Sequence, residues 1–182
     1  MQYQPDHIYH IYNRGNNRQK IFFNEENYCF FIRKLEKHLK PVCDILCWCL
    51  MPNHFHLVIS TTEESCKVRP AFRQTEVQEL SYRIRIILSS YSQAINKQNK
   101  TTGSLFQQKT KSKPVEDFIG INYLINLIHY CHQNPWKANL VDKIEEWPYS
   151  SFADYCGFRQ FDLCNQQLLL DLTGYSVEDF YG

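Results

Sequence analysis

The sequence predicts an α+β fold, a ferredoxin-like sandwich with a central antiparallel sheet, helices on one face and a small C-terminal helical extension. Short apolar runs alternate with amphipathic stretches in the order strand, helix, strand, strand, helix, strand, helix, the order of that fold. Two of the runs, Asp44 to Met51 and His54 to Ser60, are separated only by the turn pair Pro52-Asn53 and so read as a hairpin. With 182 residues and 43% hydrophobic content the chain can bury a single sizeable core.

The first strand is expected over His7 to Asn13, ending in the basic, turn-rich Arg14-Gly15-Asn16-Asn17-Arg18. Asn24 then caps a helix reaching about Lys40. Tyr28, Phe31, Leu35 and Leu39 recur at helical spacing within it, and Pro41 stops it. Asp44 to Met51 is apolar on both faces, as an interior strand would be. Thr61 to Gln74 is polar and irregular and reads as a loop. The second helix, Thr75 to Gln98, carries one stripe of Val77, Leu80, Ile84, Ile87, Leu88, Tyr91 and Ile95. After Gly103, Leu105 to Lys113 reads as a fourth strand with Lys109, Lys111 and Lys113 alternating onto one face. Pro114-Val115-Glu116-Asp117 opens a third helix, expected to end at His132 or Gln133 before Asn134-Pro135. Short helices packed on the outside are expected after Trp147-Pro148.

The net charge of +1 conceals an asymmetry. Ser81 to Val115 holds Arg83, Arg85, Lys97, Lys100, Lys109, Lys111 and Lys113 with no acidic residue, whereas Val141 to Gly182 is acidic. A basic middle of this kind suits a polyanion such as nucleic acid. No run approaches the ~18 apolar residues of a membrane span and none opens the chain, so a soluble cytoplasmic protein is expected. The eight cysteines include no Cys-x-x-Cys pair. Cys47 and Cys49 lie on an apparent strand, Cys29 and Cys131 in helical patterns, and reduced thiols are the better reading.

The candidate chemistry begins at His54-Phe55-His56. Side chains alternate along a strand, so the two imidazoles share a face and can supply two ligands to one divalent metal. On the third helix Asn122, Asn126, Tyr130 and Asn134 repeat every fourth residue and share one stripe, with Ile121, Leu124, Ile125 and Ile128 on the apolar face. Tyr130 and Asn134 can therefore reach one point. A phenolic oxygen can attack phosphorus when a metal polarises the phosphate. An Asn134 amide oxygen is a hard ligand suited to Mg²⁺ or Mn²⁺ beside imidazoles.

Met51-Pro52-Asn53-His54-Phe55-His56-Leu57 together with Tyr130-Cys131-His132-Gln133-Asn134-Pro135 resembles the single-tyrosine HUH transposases, and within them the REP-associated tyrosine transposases. Tyr12-Asn13-Arg14-Gly15, Gly103-Ser104-Leu105-Phe106-Gln107 and Trp147-Pro148-Tyr149-Ser150-Ser151 match further pieces in the family's order, covering roughly residues 7 to 155. The resemblance implies a catalytic domain over residues 1–155 with residues 156–182 as an extension packed on it. It also implies cleavage of single-stranded DNA next to a hairpin, through a covalent 5′-phosphotyrosine intermediate and a free 3′-hydroxyl. Carried over by position, His54 and His56 would bind Mg²⁺ or Mn²⁺, Tyr130 would be the nucleophile, and Asn134 would complete the metal shell. Insertion-sequence members typically carry Gln at that last position, and the neighbouring Gln133 is a substitute ~100° around the helix. Arg14, Arg18, Arg83, Lys109, Lys111 and Lys113 are the expected DNA contacts. Whether the chain acts as a monomer or a homodimer stays open.

Other constellations compete with this reading. His129-x-x-His132 has metal-pair spacing, and Cys43, Cys47 and Cys49 could join histidines in a zinc site. The competing functions are a domesticated DNA-binding protein without cleavage and a zinc-dependent hydrolase. The second lacks a His-Glu-x-x-His signature or any carboxylate beside the histidine pair.

Overall fold

The computed structural model describes residues 2–70, 76–115 and 121–174. In chain order its elements are β1 (Ile8–Arg14), α1 (Glu25–His38), β2 (Cys43–Met51), β3 (His54–Thr61), α2 (Glu63–Cys66), β4 (Val68–Pro70), β5 (Glu76–Gln78), α3 (Glu79–Asn99), β6 (Lys111–Pro114), α4 (Ile121–Lys137), α5 (Phe152–Tyr155) and α6 (Gln166–Thr173). Four strands form one antiparallel sheet in the order β2-β3-β1-β6. This is the mixed, antiparallel architecture that the sequence predicts.

Cross-strand register decides which side chains share a face. Ile11 pairs with Leu57 and Asn13 with Phe55, while Tyr12 pairs with His56 and Arg14 with His54. The Ile11, Phe55 and Leu57 face packs on α1 and α3 through Phe31, Leu35, Ile84 and Ile87. The expectation of helices on one face holds for α1 and α3. Helix α4 covers the opposite face, where Tyr130 meets His56 and His132 meets Cys47. β2 is buried almost throughout, which explains why its sequence lacks alternation.

Local chemistry sets the boundaries. The Asn24 side chain accepts a hydrogen bond of 3.0 Å from the Asn27 amide and so caps α1. Glu25 and Glu26 sit in its first turn and Lys37 and His38 in its last, each favoured by the helix dipole. Gly15 has a steric reason: a Cβ there would lie 2.2 Å from the Gln19 carbonyl oxygen, while its own amide donates to Asn53 O at 2.8 Å.

Four expectations need correction. The stretch expected as a loop over residues 61–74 contains α2, capped by Thr62, and β4, which pairs with β5 in a separate ribbon; residues 71–75 lie outside the described ones. The second helix accordingly starts at Glu79 rather than Thr75. The fourth strand spans only Lys111–Pro114. Ahead of it Phe106 keeps a bridge to Gly15 and the Gln107 amide donates to Arg14 O at 2.8 Å, while the Asn13 side chain donates to Gln107 O at 3.1 Å and Thr110 Oγ1 at 2.9 Å. Helix α4 runs through Pro135 to Lys137. Pro135 lies inside the helix near its end, where it forgoes one i→i−4 bond, and the chain leaves the helix at Asn139, whose φ is 53°. The expected opening of that helix at residues 116–117 lies outside the described residues.

The C-terminal segment closes the free edge of β2. Ser150 bridges Cys49, and the Asn165 amide donates to Ile45 O at 2.8 Å. Leu163, Cys164 and Leu169 join the main core. All eight cysteines are free thiols. Among the described residues no helix is long and apolar enough to cross a membrane.

Candidate active site

One cleft of about 420 Å³ is lined by Tyr12, Asn13, Arg14, His54, His56, Gln107, Lys109, Lys111 and Tyr130. Strand β3 delivers His54 and His56 to one face, as its period requires, with ring centroids 5.0 Å apart. Helix α4 lies across that face and brings the exposed Tyr130 ring to 5.4 Å from His56, nearly edge-on. One turn on, Asn134 donates from Nδ2 to the Tyr130 carbonyl at 2.6 Å. That bond fixes the amide on the side of the helix near His54, whose pKa the Asn134 side chain raises. The structure thus brings His54, His56 and Tyr130 together, with Asn134 one turn on from Tyr130 and near His54.

Burial and neighbouring cations keep the imidazoles neutral. His56 is pushed down to about 3 by burial, then by His10 and His54. His54 is lowered by burial and the Arg14 guanidinium, opposed by Asn134. Neutral imidazoles are the form that ligates metals.

His10 is the residue that sequence reasoning missed. It projects from β1 and places Nε2 2.9 Å from His56 Nδ1. Its ring also stacks on Tyr12, with centroids 4.7 Å apart. Burial, then Lys113, lowers His10 to about 4. A partner on the second ring nitrogen orients a metal-ligating histidine and fixes its tautomer. The period-two pattern of His7 to Asn13 carried the signal, but only the register of β1 on β3 reveals whose neighbour His10 is.

The residues present fit a divalent ion. His56 Nε2 is buried without a hydrogen-bond partner, an arrangement that costs free energy unless something occupies it. Two neutral imidazoles on one face and an amide oxygen one turn from Tyr130 are donor types that accept Mg²⁺ or Mn²⁺.

The expected DNA contacts divide. Arg14, Lys109 and Lys111 line the cleft, and Arg14 Nε is buried without a partner. Lys113 borders an adjoining groove that shares Asn13, Gln107, Lys109 and Lys111 with the cleft. Arg18 is exposed on the neighbouring turn. Arg83 stands apart, paired with Glu79 at 2.5 Å on α3. His132 is buried and bonded to Ser151 Oγ at 2.8 Å and Cys47 Sγ at 3.4 Å, so it faces the core rather than the cleft.

No family model matches the chain. A curated protein described as a putative REP-associated tyrosine transposase, from Haemophilus influenzae, is 24% identical over 130 residues, 67% of this chain and 69% of that one. A solved REP-associated tyrosine transposase bound to a REP hairpin superposes with a TM-score of 0.64 at 16% identity, covering 91% of this chain and 94% of that one. Both lie in the family that the sequence resembles. The solved transposase shares the fold over nearly the whole chain, residues beyond 155 included.

Proposed function

We propose that this chain is a transposase-type enzyme, a metal-dependent single-stranded DNA endonuclease and strand-transferase that acts next to DNA hairpins through a covalent 5′-phosphotyrosine. The observation that carries the reading is Tyr130 held against His56 in a basic cleft, with the Asn134 amide one turn away. Residues 1–155 would form the catalytic domain, with the following segment packed on it as an extension. A cytoplasmic setting fits the free thiols.

His54 and His56 with the Asn134 oxygen would hold Mg²⁺ or Mn²⁺, which when bound supplies the Lewis acid that polarises the scissile phosphate and stabilises the departing oxygen. Arg14, Lys109 and Lys111 bind the flanking phosphates and set the strand's register. The Tyr130 oxygen attacks phosphorus, forming a Tyr–O–P bond to the 5′ side as the P–O3′ bond breaks. The phenol gives up its proton, and the departing 3′ oxygen takes one up to become a hydroxyl. The ester energy remains in the phosphotyrosine, so a 3′-hydroxyl can reverse the step without ATP. Among the described residues the cleft lining includes no carboxylate, which disfavours a hydrolase that needs a general base there.

The reading is tested with labelled single strands, with and without a hairpin beside the cut site, in Mn²⁺ or chelator. Metal-dependent cleavage restricted to the hairpin strand, with label retained on the protein, is expected. Hairpin binding without cleavage in any divalent metal would mean a domesticated DNA-binding protein instead.

A further inference from the structure

We propose that His10, His56 and Cys131 form a soft-cation site that shares His56 with the hard-ion site, so that Zn²⁺ bound there stops cleavage. The three residues each offer one donor atom, and these atoms lie within 4.8 Å of one another. They come from β1, β3 and α4, so the cluster exists only because α4 crosses the histidine face of the sheet. His56 and Cys131 are buried.

Two imidazole nitrogens and a thiolate form a donor set for Zn²⁺ or Co²⁺, whereas Mg²⁺ avoids sulfur. Tetrahedral zinc, with Zn–N near 2.0 Å and Zn–S near 2.3 Å, requires about 3.3 Å between nitrogens and about 3.5 Å between nitrogen and sulfur. The His10 and His56 nitrogens already lie 2.9 Å apart, so a small opening of the pair admits the ion. The Cys131 thiol proton leaves to solvent on binding. Entry is through the cleft, whose wall includes His56. The fourth position is left for water.

Exclusion of the hard ion follows from the chemistry of one ring. A neutral imidazole has a single lone pair. Zinc on His56 Nδ1 puts the ring proton on Nε2 and blocks it, and zinc on Nε2 occupies it directly. Either way the His54 and Asn134 pair loses its partner. This inhibitory consequence rests on the cleavage reading above; the site itself does not.

The full chain, reduced and free of metal, is titrated with Co²⁺ and followed by its thiolate-to-cobalt charge-transfer absorption. One equivalent should produce the band, and Zn²⁺ should displace it. Cys131→Ser and His10→Gln, checked for folding by circular dichroism, should each abolish the band or weaken binding at least tenfold. No band in the parent protein, or an unchanged band in Cys131→Ser, would overturn the site. In the cleavage assay, one equivalent of Zn²⁺ against excess Mn²⁺ should arrest the parent protein and spare Cys131→Ser. Zinc that binds with the band yet leaves cleavage intact would overturn the inhibition. If nothing is cleaved under any condition, the absorbance titration still decides the site.

Discussion

His10→Phe isolates what the neighbouring ring contributes to the metal site. Phe keeps an aromatic ring against Tyr12, at 4.7 Å, and His56, at 5.1 Å, but removes the 2.9 Å bond to His56 Nδ1. The His56 nitrogen is then buried without a partner, which costs about 1–3 kcal/mol of stability. Loss of such an orienting partner typically weakens metal binding 10–100-fold, or about 1.4–2.7 kcal/mol. The assay is the Mn²⁺ concentration for half-maximal strand cleavage, alongside direct Mn²⁺ binding measured from free-ion EPR. Both should shift together by one to two decades, and saturating Mn²⁺ should recover most of the parent rate. His10→Gln, which can still hydrogen-bond to the ring, should fall between the two. Unchanged Mn²⁺ affinity in His10→Phe would refute the orienting role.

Other residues give independent expectations. Lys109→Ala with Lys111→Ala should weaken binding to all single strands and lower the salt slope by about one unit for each phosphate no longer neutralised; an unchanged slope would remove both from the DNA path. Arg159 contacts the buried Asp154 carboxylate through Nε and Nη2, each at 2.7 Å. Arg159→Ala therefore strands a buried charge and should cost about 3 kcal/mol in urea denaturation, a prediction that a loss below about 1 kcal/mol would contradict. His56 is lowered to about 3 and His10 to about 4, both from 6.5 and chiefly by burial. The unfolded chain thus takes up protons first as pH falls. Stability that is full above pH 6.5 should decline towards pH 4, by about 1.4 kcal/mol per pH unit for each imidazole. A flat denaturation midpoint from pH 7 to 5 would contradict neutral buried rings.

What was legible in the sequence was local and periodic. The shared face of His54 and His56 follows from two-residue alternation, and the adjacency of Tyr130 and Asn134 from the helical repeat. The sheet could be read because its strands are separated by recognisable caps and turns such as Asn24 and Pro52-Asn53. Long-range facts were not legible. Nothing local says that His10 meets His56, since that depends on the register of β1 against β3. Equally, no pattern within α4 tells which sheet face it covers, so the proximity of Cys131 to two histidines was hidden. Lys109 looked like a strand residue because alternation in Leu105 to Lys113 suggests one. Instead Lys109 lies between two side-chain hydrogen bonds from Asn13, to Gln107 O and Thr110 Oγ1, outside the ladder that starts at Lys111. Arg83 looked free until Glu79, one turn back, proved to hold it.

The residue that carries the cleaved DNA decides whether Tyr130 is the nucleophile. Tyr130 is 45% exposed, so Tyr130→Phe removes the attacking oxygen without stranding a buried group and should change stability by no more than about 0.5 kcal/mol. Hairpin-bearing single strands are incubated with Mn²⁺ and either protein, and denatured adducts are digested and mapped by mass spectrometry. A nucleotide joined through its 5′ phosphate to Tyr130 is expected in the parent protein, and no adduct in Tyr130→Phe despite unaltered folding and DNA affinity. An adduct that persists in Tyr130→Phe, or maps to Tyr123 on the same helix, would contradict Tyr130 as the nucleophile.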